Sequence, residues 1–170
     1  MHFELREERP ADVPAIHRLN TASFDSDAEA RLVDALRANG GLTLSLVAQV
    51  SGEIVGHIGF SPVVIEGSSG IAHGVGLAPM AVAPALQRQG IGGRLVAEGL
   101  RRLGAAGQPF CVVLGHAEYY PRHGFIRASV RGIRWEKAVP DEVFFVHELT
   151  PGGLAGVEGI VRYRPEFEAV

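Results

Sequence analysis

The sequence is poor in cysteine and lysine and has no long apolar run. Of its 170 residues, one is cysteine, Cys111, and one is lysine, Lys137. A single cysteine excludes a disulfide within the chain, and its place in the apolar run 110–114 indicates a buried strand thiol, not a nucleophile or metal ligand. No apolar run approaches the roughly 18 residues of a membrane span, and charges within residues 1–10 argue against a signal peptide. We therefore expect a soluble, cytoplasmic protein.

The charge of the chain is small and evenly distributed. The net charge is −3, and the basic residues do not form runs. This pattern argues against a nucleic-acid or membrane surface and favours a small partner. The histidines lack close paired spacing with carboxylates or thiols, so we predict no metal site. A chain of 170 residues is long enough to bury a core, and no linker divides it, so we expect a single domain over residues 1–170.

The spacing of apolar residues predicts a mixed α/β fold. Two helices follow a short strand at 3–6; the second has Ser26 and Glu29 at capping-box spacing and ends at Gly40. Alternating patterns then predict strands at 44–50, 54–60, 63–65, 74–82, 110–114, 125–126, 130–135, 143–149 and 157–163. The strands 74–82 and 110–114 flank a helix, which predicts a parallel crossover in the sheet.

A glycine-rich segment between strand 74–82 and this helix is the most informative part of the chain. Gly90, Gly92 and Gly93 lie where the chain turns into the helix, so that backbone N–H groups can point at one bound phosphate. The phosphate loop of nucleotide triphosphatases is excluded, since no lysine is near. The dinucleotide fingerprint is excluded because Leu95 occupies its third small position. We therefore expect no nicotinamide or flavin cofactor.

Two motifs identify a family resemblance. Gln87-x-x-Gly90-x-Gly92 at a helix start resembles the acetyl-coenzyme A motif of the GCN5-related N-acetyltransferases (GNAT). About thirty residues later, Tyr120 stands four residues before a Gly-Phe pair, which is similar to a second motif of this family. The resemblance covers about residues 1–135 and is nearest to the YhbS-like branch. It implies a single-domain GNAT fold: a twisted, mostly antiparallel mixed sheet with helices on both faces and strands splayed at the acetyl-CoA site.

The resemblance also implies a reaction and a coenzyme site. An acetyl group would pass from acetyl-CoA, the co-substrate, to a primary amine by direct nucleophilic attack. Backbone groups of Met80 and Val82 would meet the pantetheine arm, and the amides of residues 87–93 would hold the pyrophosphate. A strand N–H in this region would also stabilise the developing oxyanion. The residues assigned to the coenzyme are Met80, Ala81, Val82, Gln87, Arg88, Gln89, Gly90, Ile91, Gly92, Gly93, Arg94 and Tyr120.

The catalytic candidates are Tyr120, by the same resemblance, and His116, by its place at the end of the strand leading to Tyr120. Tyr120 would protonate the departing thiolate; alternatively it packs under the loop or contacts coenzyme without moving a proton. Many family members carry a strand glutamate, but residues 74–78 offer no carboxylate here. His116 is therefore the first candidate for the base, with a structural role as its alternative. The remaining candidates are Glu118, His73 and His123.

Several aspects of function remain open at this stage. The acceptor is expected to be a small-molecule or peptide amine, without nucleic acid, membrane or metal. Transfer of another short acyl group, or to a hydroxyl, is the alternative among enzymes. Because the strand glutamate is missing, a non-catalytic acyl-CoA-binding sensor is the alternative from another class. A homodimer paired through the late strands is also left open.

Overall fold

The structure is a computed structural model that describes residues 1–169. Its pairs of strands are mostly antiparallel, with two parallel pairs, so the predicted mixed sheet is confirmed. The helices and strands are β1 Glu4–Glu7, α1 Val13–Phe24, α2 Ala28–Ala38, β2 Leu44–Val50, β3 Glu53–Gly67, β4 Gly70–Val82, α3 Ile91–Ala105, β5 Phe110–Leu114, β6 Ile126–Arg127, β7 Ile133–Trp135, β8 Phe144–Glu148 and β9 Gly159–Arg162.

The chain forms two compact units. The first contains Met1–Ser61, Ala78–Gly99 and residues 165–169; the second contains Pro62–Leu77 and Leu100–Arg164. The elements β3, β4 and α3 contribute residues to both. The single domain over residues 1–170 stays a prediction.

The first unit contains an antiparallel meander, β1 to β3, and two helices, α1 and α2. β1 pairs with β2 and β2 with β3, with a bulge at Ala48/Gln49. Ile16 of α1, Val33 of α2 and Val47 of β2 are each at most 1% exposed and form one apolar cluster. The helical spacing of apolar residues in α1 and α2 therefore serves to cover β2.

Two glycines of the first unit bring α3 close to β3. A Cβ at Gly56 would lie 2.9 Å from Ile91 Cγ2, and one at Gly99 would lie 2.6 Å from the Phe60 ring. Side chains at these two positions would therefore separate the helix from the strand. The buried face of α3 consists of apolar residues at helical spacing: Ile91, Leu95, Val96, Leu100 and Leu103.

In the second unit, β4 and β5 form the predicted parallel pair, in register from Val75↔Cys111 to Leu77↔Val113. β8 pairs antiparallel with both β5 and β6. β9 pairs antiparallel with β3 and parallel with β7. The apolar core of the second unit contains Val63, Ile65, Phe110, Val112, Ala128, Ile133, Phe144, Val146, Leu154 and Val161.

The predicted strand 130–135 is wrong in its first half. Residues Ala128–Arg131 form a 3-10 turn, Gly132 follows with φ 69°, and only Ile133–Trp135 is a strand. Val130 is 71% exposed, so its apolar character does not mark a buried face. A β-branched residue in an exposed turn resembles a strand residue in sequence.

Other predicted boundaries also differ; β4, for example, begins at Gly70 and not at residue 74. The capping box at Ser26 and Glu29 does not open α2; Asp27 is the N-cap, without a side-chain cap, and Ser26 Oγ accepts from the Ala28 amide at 3.3 Å. The strands predicted at 54–60 and 63–65 are one strand, β3, which continues through Pro62. Pro62 is exposed, consistent with a strand position where its missing N–H is tolerated.

Candidate coenzyme loop and tyrosine turn

The glycine loop, residues 87–93, turns β4 into α3. Gln87 is extended, Arg88 is left-handed with φ 63°, and Gly90 has φ 91°. A helical hydrogen bond runs from the Arg94 amide to the Gly90 carbonyl at 3.1 Å. The amides of Ile91, Gly92 and Gly93 thus belong to the helix N-terminus, where the positive end of the helix dipole lies. The loop can present these N–H groups to an anion.

The end of β4 is fixed through the carbonyl of Val82. This oxygen accepts from Gln87 Nε2 at 3.1 Å and from Ser23 Oγ at 3.1 Å. The next amide, of Ala83, donates to the Val55 carbonyl of β3 at 2.8 Å. Sequence reasoning missed Ser23, because it lies 59 residues before Val82 and has no local motif.

The two arginines of the predicted coenzyme site lie in different surroundings. Arg88 is exposed within the loop, and its left-handed backbone forms part of the turn. Arg94 is exposed on α3, with its guanidinium carbon 5.1 Å from the centre of the Phe3 ring. The Arg94 contact is a cation–π interaction of the first unit. Phosphate binding by either arginine stays a prediction.

The tyrosine turn, residues 119–125, is a packed aromatic corner of the second unit. Tyr120 is 7% exposed and meets Tyr119 and Phe125 edge-to-face, with ring centres 5.1 and 5.6 Å apart. A Cβ at Gly115 would lie 2.2 Å from Tyr120 Cε2, so the ring occupies the space that this glycine leaves. Gly124, with φ 88°, ends the 3-10 helix Tyr120–His123 within this turn. The Tyr120 ring is therefore closely packed against its neighbours.

Burial raises the pKa of Tyr120, with smaller contributions from Tyr119 and Cys111. The phenol consequently stays protonated and can donate a hydrogen bond at neutral pH. The same burial makes it a weaker acid than a free phenol, while a thiol has a pKa of about 8.5. Complete proton transfer to a thiolate is thus uphill, unless bound ligand lowers the phenol's pKa.

The candidate bases are exposed or only half-buried. His116 is exposed just after β5, and its carbonyl accepts from the Tyr119 amide at 3.2 Å. His73 and Glu118 are also exposed. His123 is half-buried against Tyr119, and burial lowers its pKa. Sequence reasoning did not consider His147, whose Nε2 is 2.8 Å from where a Gly124 Cβ would lie.

A polar network of the first unit, formed by Glu8, Asn20, Arg37, Ser45 and His57, was also missed in the sequence. Arg37 binds both oxygens of Glu8, at 2.6 and 3.0 Å, and Ser45 Oγ donates to the same carboxylate. His57 is completely buried, with Nε2 2.9 Å from Ser45 Oγ and Nδ1 3.3 Å from Asn20 Nδ2. The alternation of β3 marked His57 only as part of a strand.

The hydrogen bonds of this network define the tautomer of His57. Asn20 Nδ2 also donates to the Ile16 carbonyl at 3.0 Å, which orients the amide so that His57 Nδ1 accepts. His57 Nε2 then carries the proton and donates to Ser45 Oγ, whose own proton goes to Glu8. In a nucleophilic triad the histidine accepts the serine proton, so this arrangement has the opposite polarity. We assign the network to structure.

Burial shifts the ionisation of the network. It lowers the pKa of His57 to about 4, so the imidazole is neutral near pH 7. Burial of Glu8 acts to raise its pKa, but hydrogen bonds from Arg37 and Ser45 outweigh burial and hold this pKa below its usual value. The buried pair is therefore an ionised Glu8 beside a neutral His57.

One cavity of the first unit lies apart from the predicted site residues. It has a volume of about 480 Å³ and is lined by residues including Asp12, Arg18 and Gln49, and by none of the predicted site residues. Within residues 1–169, no group of three or more His, Cys, Asp or Glu side chains is placed to hold a metal ion. No helix in that range is both long and apolar enough to cross a bilayer.

Comparisons of the sequence with known proteins agree with the resemblance. A family profile described as an acetyltransferase (GNAT) domain matches residues 42–127. The chain is 41% identical over 164 residues to the Escherichia coli K12 protein called uncharacterized N-acetyltransferase YhbS, covering 96% of this chain and 97% of the relative. It is 40% identical over 128 residues to uncharacterized N-acetyltransferase YjhQ of the same strain, covering 73% of this chain and 70% of the relative.

Solved structures give the same result at the level of the fold. The GNAT family N-acetyltransferase YhbS from Escherichia coli, in complex with CoA, matches with a TM-score of 0.93 and 40% identity, over 99% of this chain and 93% of that chain. A GNAT family acetyltransferase from Brucella melitensis, in complex with acetyl-CoA, matches with a TM-score of 0.79 and 39% identity, over 98% of both chains.

The family profile spans more than half of the chain, and the YhbS relative is similar over almost all of it. The mixed, mostly antiparallel sheet is that of the GNAT fold. The chain belongs to the GNAT family of acetyltransferases, whose general reaction transfers an acetyl group from acetyl-CoA to an amine.

Proposed function

We propose that this protein transfers an acetyl group from acetyl-CoA to a primary amine by direct attack, and that its glycine loop binds the coenzyme diphosphate. The observation that carries the proposal is the conformation of the loop: Gly90 has φ 91°, and the amides of residues 91–93 lie at the N-terminus of α3. Within residues 1–169, no heavy atom lies within 4 Å of where a Gly90 Cβ would be, apart from its chain neighbours. The loop therefore offers a diphosphate open access to backbone donors.

The charge near the loop supports the same assignment. Arg88 is exposed within the loop, and Arg94 is exposed in the first turn of α3. Guanidinium groups suit phosphate oxygens because they combine charge with several donors. Met80, Ala81 and Val82, at the end of β4, are proposed to contact the pantetheine arm through their backbone.

Two side chains of the second unit are proposed for proton transfer. Tyr120 stays protonated because burial raises its pKa, so it can donate a hydrogen bond to a departing thiolate. His116, exposed beyond β5, is proposed to take the amine proton, directly or through water. A primary amine is mostly protonated near neutral pH, so some acceptor for this proton is required.

The acceptor is proposed to be a small-molecule or peptide amine, and the enzyme is proposed to act in the cytoplasm. The scattered basic residues and the net charge of −3 support a small acceptor in preference to nucleic acid. They do not select one amine. A screen of amines with detection of the acetylated product by mass spectrometry addresses this point.

Thermal unfolding with and without acetyl-CoA tests the binding step. A ligand that binds only the folded state adds about 2.7 kcal/mol at a hundred times its dissociation constant, so acetyl-CoA should raise Tm, whereas NAD should not. Thiol release with a panel of amines tests turnover. A thermal shift without thiol release on any amine would indicate the acyl-CoA sensor instead, and no shift at millimolar acetyl-CoA would contradict the proposal.

A further inference from the structure

We propose that Ser23 is a positioning residue for the coenzyme: by holding the Val82 carbonyl, it fixes the end of β4 and the start of the glycine loop for acetyl-CoA. Ser23 lies in the last turn of α1, outside both family motifs. The inference rests on the proposed function, because it assigns Ser23 to the coenzyme site of the glycine loop.

The geometry singles out the Val82 carbonyl as the point where three segments meet. A carbonyl oxygen has two lone pairs, and this one accepts from Ser23 Oγ and from Gln87 Nε2, both at 3.1 Å. The following amide, of Ala83, donates to Val55 at 2.8 Å. Residues 82 and 83 are therefore held by α1, by the loop itself and by β3.

The two donors to this carbonyl are not equivalent. Gln87 is exposed, and its side chain loses rotamer freedom when it folds back over five residues. Ser23 is partly buried, has one short side-chain torsion and belongs to a regular helix. Ser23 thus supplies the more rigid of the two hydrogen bonds, and it also helps to place Gln87 through their shared acceptor.

Since both lone pairs of the carbonyl are engaged, the group that Val82 offers to the pantetheine arm is its N–H. That N–H belongs to the preceding peptide, 81–82, which is joined to the 82–83 peptide only through the φ and ψ angles of Val82. Ser23 and Val55 hold the 82–83 peptide, and so they limit the directions that the Val82 N–H can take. Loss of the Ser23 hydroxyl should therefore weaken coenzyme binding without removing any group that touches the coenzyme.

Thr21 provides a matched control on the same helix. Its hydroxyl also donates to a backbone carbonyl, but to His17 within α1, at 3.0 Å. Thr21→Ala and Ser23→Ala each remove one partly buried hydroxyl from α1. Only Ser23→Ala removes a bond from α1 to β4.

The test is calorimetric titration of the full-length protein with acetyl-CoA, together with Tm of the free protein. We expect Ser23→Ala to raise the dissociation constant about five-fold, the usual worth of one such hydrogen bond. Thr21→Ala should leave the dissociation constant unchanged. Ser23→Thr keeps the hydroxyl, so it should bind acetyl-CoA as the unmodified protein does. The double variant Ser23→Ala/Gln87→Ala should lose more affinity than the product of the two single losses, because the carbonyl then keeps neither donor.

Each outcome separates this inference from the proposed function. If the unmodified protein does not bind acetyl-CoA, the proposed function fails, and the role of Ser23 fails with it. If it binds and Ser23→Ala binds equally well, only the role of Ser23 is overturned. A lower Tm of free Ser23→Ala with unchanged affinity, or equal weakening by Thr21→Ala, would also overturn it, since both indicate a general effect on α1.

Discussion

The glycine loop presents main-chain groups at an exposed turn, whereas the tyrosine turn presents a side chain held in an aromatic cluster. Gly90 has free space around it and an unusual φ of 91°. Gly115, beside Tyr120, has the reverse situation: no left-handed backbone, but only 2.2 Å between its Cβ position and the Tyr120 ring. Glycine is therefore required for its backbone in the first region and for its small size in the second. The two regions should respond differently to substitution, ligand and acid.

The largest effect is expected in the tyrosine turn, on the rate. Tyr120→Phe keeps the buried ring but removes the proton donor, so thiol release should slow by about 100- to 10,000-fold, the range for loss of a general acid. Acetyl-CoA affinity should change little if the glycine loop supplies most of the binding energy. Steady-state thiol release and calorimetric titration measure the two quantities.

Tyr119→Phe is the control for this variant. Tyr119 is adjacent and only half-buried, and its ring packs edge-to-face on Tyr120. The change keeps this ring and removes only the Tyr119 hydroxyl, so Tyr120 itself is unchanged. Its rate should match that of the unmodified protein. If Tyr120→Phe also turns over normally, Tyr120 does not act as the acid.

The next effect is on stability at acid pH, and it arises from His57 in the first unit, which contains the glycine loop. The pKa of His57 is about 4 when folded, against 6.5 for a free side chain. Between these values the unfolded chain binds more protons, so stability should fall as pH drops from about 6.5 to 4, by up to about 3 kcal/mol. Urea unfolding at several pH values measures this slope.

The variant His57→Gln separates His57 from the other histidines. His123 and His147 also have a pKa lowered by burial, and they add slope of the same sign in both proteins. Glu8 adds a further loss as pH falls through its unfolded pKa of 4.5, a loss that begins about one pH unit above that value. The difference in slope between the two proteins above about pH 5.5 is therefore due to His57. Equal slopes in the two proteins would show that burial does not lower the pKa of His57.

The sequence predicted those parts of the molecule that depend on local pattern. β2 and β5 have the predicted bounds, and the buried face of α3 follows the helical spacing of its apolar residues. The conformation of the glycine loop also followed from residues adjacent in sequence. The family motif supplied Tyr120, although the glycine at 115 that admits its ring was not recognised.

The remaining features depend on residues distant in sequence. Ser45 and Glu8 are 37 residues apart, and Ser23 and Val82 are 59 apart. Each residue in these pairs has an ordinary local context, so its partner emerges only when helices and strands pack. Val130 shows the opposite error, since its β-branched side chain suggested a strand where a turn at Gly132 exposes it.

A smaller effect is expected at Gly115. Gly115→Ala places a methyl group where the Tyr120 ring lies, and overpacking of this kind costs about 2 kcal/mol of stability. If the clash is with Tyr120 alone, the cost should disappear when Tyr120 is also changed to Ala. Denaturant unfolding of the two single variants and the double variant measures this coupling. Additive losses would mean that another neighbour of Gly115 is responsible.

The smallest effect on stability is expected at Gly90, and it tests the other half of the comparison. Gly90→Ala meets no heavy atom within 4 Å beyond its chain neighbours, so its cost is only that of a side chain at φ 91°, about 1 kcal/mol. Acetyl-CoA affinity should fall as well, because relief of this strain rotates the amides of α3 away from the diphosphate. Gly90→Asn should lose less stability and less acetyl-CoA affinity than Gly90→Ala, since asparagine tolerates left-handed backbone better than alanine. Equal behaviour of the two variants in unfolding and titration would mean that the loop does not depend on this backbone angle.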